Sequence, residues 1–346
     1  MQNWQAQLKY DPIPPLLDSG DEALVYFTRR DLLGEDPGPV ERLRALPGAL
    51  RILKKQLADG SWPRQGEVKH PAINYGLIET WRWFRFLVYQ YGFTRQHPAA
   101  ERAAEFLFSC QTDEGDFRGI LANQYATYYS GALLALLVKA GYVDEPPIHR
   151  AFQWLLEMRQ DDGGWTVPIL TRYYDWKTVI RLTSQPANPV EPDRSQPFSH
   201  NWTGMVLRAF AAHPDYRNTR ETWRAAGLYK SRFFQKDVYT SYQSADYWLR
   251  FDYPFWWNSL VAGLDSLAQI GLPADDPDIR RGLDWLVEHQ EASGLWAMEV
   301  ARANKPGKDT PQAREKQLWV GLAICRILKR LLIYSARFCF ERRRHA

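Results

Sequence analysis

Gln160-Asp161-Asp162-Gly163-Gly164-Trp165 ends a run in which Phe152, Leu155, Leu156 and Met158 have the spacing of one helix face. A Gly behind an acidic pair stops such a helix, because Gly takes the left-handed cap conformation at little cost. The same order recurs as Gln56-Leu57-Ala58-Asp59-Gly60-Ser61-Trp62, Gln111-Thr112-Asp113-Glu114-Gly115-Asp116-Phe117 and Gln290-Glu291-Ala292-Ser293-Gly294-Leu295-Trp296. Gln235-Lys236-Asp237-Val238-Tyr239 is a worn copy without the Gly. Successive Gln residues lie 49 to 75 positions apart, room for two helices and their turns.

Downstream of each copy a second apolar helix is predicted, opening on an aromatic followed within one or two positions by a small residue. The openings are Tyr75-Gly76, Tyr129-Ser130-Gly131, Trp202-Thr203-Gly204, Trp257-Asn258-Ser259 and Trp319-Val320-Gly321. These second helices are apolar on most faces and are expected to be buried, whereas the Gln-ended helices carry charge on one side and are expected to face solvent. N-terminal helices are predicted around Asp21–Leu33 and Val40–Leu57, and no stretch reads as a strand. Helix pairs of this kind stack as an open solenoid or close into a double-walled barrel, and the pattern allows both.

Composition bounds the function. The chain has 346 residues, 44 Lys+Arg against 40 Asp+Glu, three Cys, and 15 Trp, 18 Tyr and 16 Phe. The near balance of charge gives no electrostatic footprint for nucleic acid. Three scattered Cys (Cys110, Cys325 and Cys339) make neither a disulfide framework nor a zinc ribbon, which fits a reducing, cytoplasmic location. No signal peptide is visible at the start, and the uncharged run from Gly119 to Val138 is too polar to span a membrane. The aromatic excess calls for burial or for a ligand.

The Gln…Gly-x-Trp order behind a helix resembles the QW repeat of the squalene cyclase and protein prenyltransferase β-subunit superfamily, and most closely its small bacterial members without assigned chemistry. The resemblance covers about residues 45–330. It implies an all-α fold, an α/α toroid, in which each Gln packs on its Trp and ties the helix to the loop. One domain over residues 1–346 is expected, with repeats at about 38–95, 96–143, 144–215, 216–272 and 273–333. A lid loop is expected at 166–200, and a basic tail at 334–346.

The superfamily's chemical motifs are missing. No Asp-x-Asp-Asp acid is present, and Asp275-Asp276-Pro277-Asp278 reads as a helix cap. Lys305-Pro306-Gly307-Lys308 sits where prenyltransferases carry a similar string near their zinc, but Asp309 to Trp319 holds neither Cys nor His, so no metal and no cofactor is expected. What remains is the set of residues at the openings of the second helices. They comprise Asn74 and Tyr75, Tyr125 and Tyr129, Asn201 and Trp202, and Tyr253, Trp256 and Trp257. Ring faces of this kind suit a carbocation or an isoprenoid chain, and equally a sugar ring or a packed core.

Asp252, inside Arg250-Phe251-Asp252-Tyr253-Pro254-Phe255-Trp256-Trp257, is the candidate acid, with His200 and His70 as acid/base partners. Asp175 and Trp176, in the lid loop, rank behind them. The leading expectation is a terpene-cyclase-like protein that binds an apolar, isoprenoid ligand in an aromatic cavity. Two alternatives stay open: a non-catalytic interaction scaffold of the same fold, and a carbohydrate-active toroid with two carboxylates across a cleft. The C-terminal stretch Leu322–Phe340 either completes the last second helix and then wraps around the barrel or lies as a basic amphipathic segment on a membrane surface.

Overall fold

The computed structural model describes residues 4–239, 244–298 and 310–342, with side chains through Leu332. Lys305-Pro306-Gly307-Lys308, Cys339 and the basic tail's side chains lie outside the described residues. The described chain is helical, and its β pairing is confined to isolated bridges such as Gln111 with Phe117 and Gln290 with Trp296. Contacts gather into two compact units, Met1–Gly38 with Tyr229–Ala346, and Pro39–Leu228.

In the Pro39–Leu228 unit the Gln-ended helices include Pro98–Ser109 and Pro146–Glu157, and the second helices are Tyr75–Tyr91, Thr127–Lys139 and His200–Ala212. Thr127–Lys139 is buried at every position from Thr127 to Val138, and His200–Ala212 from His200 to Ala211. Pro98–Ser109 buries one face through Ala99, Ala100, Ala103, Ala104 and Leu107. The expected division of labour between the two helix types therefore holds. Thr127–Lys139 packs on both Tyr75–Tyr91 and His200–Ala212. Gly131 permits the second contact, since a Cβ there would lie 2.6 Å from the Val206 Cα.

The motif works through hydrogen bonds. Gln56 Nε2 donates to Gly60 O (3.0 Å) and to Ala99 O in the first turn of the next Gln-ended helix (2.8 Å). Gln111 Nε2 repeats this with Gly115 O and Pro147 O, both at 2.8 Å. Each motif Gly has positive φ, and a Cβ at Gly60 or Gly115 would lie 2.1 or 2.7 Å from the carbonyl of Arg102 or Arg150, so backbone conformation and close approach both require Gly. The indole of Trp62 donates to Ile52 O and that of Trp165 to Leu155 O, each ten residues back. The main-chain N–H at the aromatic position donates to a buried hydroxyl of the second helix: Trp62 to Thr80, Phe117 to Ser130 and Trp165 to Thr203.

The unit of Met1–Gly38 and Tyr229–Ala346 holds the helices Ile13–Leu17, Glu22–Phe27, Leu260–Ile270, Pro277–Glu288 and Pro311–Arg342, with Thr28–Leu33 continuing Glu22–Phe27 as a π-helical turn. Gln290 Nε2 donates to Gly294 O (3.0 Å) and Tyr10 O (2.9 Å), while its Oε1 accepts from the main-chain N–H of Lys9 and Tyr10, both at 3.0 Å. Residues 9–11 thus take the place that the next helix holds in the earlier repeats. The last Gln motif is completed by the N-terminal segment of its own unit. Pro311–Arg342 runs as one helix through Leu322–Phe340.

Two expectations shift in register. The worn copy has its ring supplied by Trp248, fully buried against Tyr229 and Phe233 and bonded through its indole to Gln235 O (3.0 Å), rather than by Tyr239. The hydroxyl contacts align Thr80 with Ser130 and Thr203, which places Glu79, not Tyr75, in register with Tyr129 and Trp202.

Candidate functional site

In the Pro39–Leu228 unit the second helices bring rings and charges together. Trp81 lies edge-on to Tyr129 (5.6 Å between centroids), Tyr129 to Tyr128 (5.7 Å), and Tyr128 packs on Trp202 at 4.4 Å. The Arg85 guanidinium sits 4.2 Å over the Trp81 ring. Glu79, two residues before Trp81, is buried and accepts at both oxygens from Arg82 Nη1, at 3.0 and 3.1 Å. The Tyr129 phenol is held well above its ordinary pKa, first by burial and then by the neighbouring Tyr128, with Arg85 and Arg82 pulling the other way. Tyr129 therefore stays a neutral phenol. His200, Asn201 and Arg208 are buried on His200–Ala212.

Other nominated residues of this unit have local duties. Asn74 caps Tyr75–Tyr91, accepting from Leu77 N (2.9 Å) and donating to Cys110 Sγ (3.5 Å). Tyr75 is half-buried under the Arg64 guanidinium, 4.0 Å from its ring centroid. His70 is exposed. The Tyr125 hydroxyl lies 2.9 Å from Glu114 Oε2 and 3.1 Å from Glu191 Oε1. Burial and these two carboxylates push the Tyr125 pKa far up.

The expected lid loop contains a helix, Trp176–Ser184. Asp175 is its N-cap, accepting from Lys177 N, Thr178 N and the Thr178 hydroxyl, and both Asp175 and Trp176 are exposed. The limb that returns from this helix is strapped down. Asn123 and Gln124 donate to Ala187 O and Asn188 O, Gln124 accepts from Val190 N, and Gln160 reaches Asp193 O and Gln196 O. Gln160 accordingly spends its amide on this limb instead of on a following helix.

In the Met1–Gly38 and Tyr229–Ala346 unit, Asp252 Oδ2 accepts from Trp256 N (2.9 Å), and the Arg250 guanidinium lies 3.8 Å over the Tyr247 ring. Trp256 and Trp257 meet edge to face at 6.1 Å and are half-buried. Tyr253 is stacked on Trp319 (5.7 Å, 6°) and its hydroxyl accepts from Arg326 Nη1 (3.1 Å). Arg326 is also paired with Asp31 through Nη2 (2.5 Å) and Nε (2.8 Å), and the Trp319 indole donates to Asp21 (3.0 Å). Burial pushes Asp31 up, but the charges and hydrogen bonds of Arg326 and Arg30 outweigh it and hold the carboxyl below its usual range. Composition gave no pointer to Asp31 or Arg326. Among the described residues no cluster of His, Cys, Asp and Glu is arranged to hold a metal ion, and no helix is long and apolar enough to cross a membrane.

Sequence missed a further repeat element. The fifth residue of the helices Pro98–Ser109, Pro146–Glu157 and Arg220–Lys230 is Arg102, Arg150 or Arg224. Arg102 and Arg150 donate to Gln56 Oε1 and Gln111 Oε1, and Arg224 to Asp161 O. The signal was legible as an Arg four positions after the helix-opening residue.

Residues 80–188 match the family model of the squalene-hopene cyclase C-terminal domain. No curated protein matches the chain. Among solved structures it is similar to a protein from Actinoplanes (16% identity, 85% of this chain and 88% of that one, TM-score 0.41). It is also similar to the type II terpene cyclase MstE from Scytonema, in a variant complexed with its product merosterolic acid A (15% identity, 93% and 99%, TM-score 0.42). A polysaccharide lyase matches at 12% identity, 90% of each chain and TM-score 0.48. The fold class is all-α, of the α/α-toroid kind, and the chain resembles the squalene cyclase superfamily as its repeats imply.

Proposed function

We propose that this chain is a single-domain, terpene-cyclase-like protein that binds an apolar, isoprenoid ligand against the rings of its second helices. The observation that carries the reading is the run of Trp81, Tyr129, Tyr128 and Trp202, in which each ring contacts the next and Arg85 already rests on the face of Trp81. Rings that accept a guanidinium face-on suit the positive charge that travels along an isoprenoid chain as it cyclises. Tyr129, kept neutral, adds a ring without adding a competing anion. Asn74, Tyr75, Tyr125 and Asn201 are the further contacts of this reading in the same unit, with Asp175 and Trp176 behind them, and Tyr253, Trp256 and Trp257 are the ring contacts proposed for the other unit. Asp252 is the proton-transfer candidate of the Met1–Gly38 and Tyr229–Ala346 unit, and His200 and His70 are those of the Pro39–Leu228 unit.

The test is native mass spectrometry with isoprenoid alcohols and diphosphates against neutral and acidic oligosaccharides. The reading expects retention of an isoprenoid and at least a tenfold loss of it in Trp202→Ala. Retention of an oligosaccharide instead would favour the carbohydrate-active alternative, and retention of neither would leave the scaffold. Turnover unchanged in Asp252→Asn would remove that residue from the chemistry.

A further inference from the structure

The segment Tyr173–Ser184 is the least economical part of the fold. It forms a capped helix, Trp176–Ser184, that contributes no buried residue. Tyr173 is 94% exposed and Trp176 72%, and Tyr174 (44%) and Ile180 (42%) are exposed as well. The segment is nevertheless ordered by construction. Asp175 spends its carboxylate on the helix N-terminus, and Arg172 binds Glu191 O (3.0 Å) and Pro192 O (3.4 Å) of the strapped return limb. Thr178, Val179 and Leu182 are the half-buried residues on the other side, and Thr183 is half-buried one turn beyond Ile180.

At 100° per residue, Trp176 and Ile180 form one line, and Lys177 and Arg181 a second line beside it. Both basic residues are exposed, and the only acid of the segment, Asp175, is consumed as the cap. An exposed Trp and two Tyr next to a basic line have the chemistry of a helix lying in the headgroup layer. There the indole and phenol groups sit at the water boundary while the cations meet lipid phosphate. A protein partner of matching apolar shape would not require the basic line. We propose that the Trp176–Ser184 helix docks this protein on an anionic lipid surface, with Trp176, Ile180 and Tyr173 entering the headgroup region and Lys177 and Arg181 pairing with phosphate.

Co-sedimentation of the full chain with phosphatidylglycerol/phosphatidylcholine vesicles and with pure phosphatidylcholine vesicles tests this, with unfolding midpoints measured alongside. The expected result is binding to the anionic vesicles that weakens with salt. Trp176→Ser/Ile180→Ser should lose it at least tenfold, and Lys177→Gln/Arg181→Gln about fivefold per charge. All these positions are exposed, so the midpoints should stay put. Equal binding by the Trp176→Ser/Ile180→Ser variant, equal binding to neutral vesicles, or no binding at all would each overturn the proposal. Trp176 ranks last among the ligand contacts proposed above, and vesicle binding is read without that ligand, so failure here leaves the reading of the Trp81, Tyr129, Tyr128 and Trp202 rings untouched.

Discussion

Two glycines on helices show how one substitution changes sign with its surroundings. Ala is favoured over Gly inside a helix by roughly 1 kcal/mol. At Gly227 nothing lies within 4 Å of the added Cβ, so that preference acts alone. At Gly131 the Cβ would meet Val206 Cα at 2.6 Å and Met205 O at 3.1 Å, both main-chain atoms of a packed helix that cannot step aside individually. Overpacking of this kind costs about 1–3 kcal/mol and exceeds the propensity gain. In urea unfolding, Gly227→Ala is expected to raise the midpoint and Gly131→Ala to lower it. Equal shifts would mean that the close approach of Thr127–Lys139 to His200–Ala212 does not limit packing.

At the scale of elements, the repeat is a set of ties, and the ties differ in worth. Gln111 joins its own loop to the next helix through Gly115 O and Pro147 O, and receives Arg150. Gln235 is exposed and donates only within its own helix end, to Ser231 O. Removing the first leaves two carbonyls without their donor, about 2–4 kcal/mol at 1–2 kcal/mol each, whereas removing the second costs under about 1 kcal/mol. Gln111→Ala is therefore expected to lower the unfolding midpoint clearly and Gln235→Ala hardly. Matched effects would deny the motif its tying role. These ties were legible because Gln, Gly and Trp stand at fixed short spacings, and a local spacing fixes local geometry. The helix Trp176–Ser184 was not legible, since Thr178, Val179, Ile180 and Thr183 are β-branched and the helix buries no stripe. Trp248 was missed because the ring arrives from a loop whose length no pattern constrains. Glu79 escaped notice for another reason: the first repeat is shifted by about a turn, and only the bond from Trp62 N to Thr80 reveals it. At the candidate site Tyr129 and Trp202 were readable from their place before small residues, but Trp81, which Arg82 follows, was not, and the charged neighbours Arg85 and Arg326 look in sequence like any surface Arg on an amphipathic helix.

At the scale of the whole molecule, the first and last segments of the chain belong to one compact unit, and the last repeat is finished by the first residues. Gln290 satisfies all four of its amide valences with Gly294 O, Tyr10 O, Lys9 N and Tyr10 N. Gly294 fits under that segment only as Gly, with φ at +80° and a Cβ position 2.5 Å from Asp11 O. Lys9 Nζ adds a bond to Glu288 O (2.8 Å), the end of the helix Pro277–Glu288. Deleting residues 1–12 removes these partners and leaves Gln290, a buried side chain, facing water or nothing. Hydrogen exchange at amides 290–296 is therefore expected to accelerate by at least tenfold in the deletion, the equivalent of about 1.4 kcal/mol of lost local protection. Gly294→Ala in the full-length chain should produce the same local acceleration, because it forces the same two segments apart without removing either. If the deletion leaves these amides as protected as before, the N-terminal segment does not complete the last repeat, and its contacts with Gln290 and Gly294 contribute nothing to the stability of that unit.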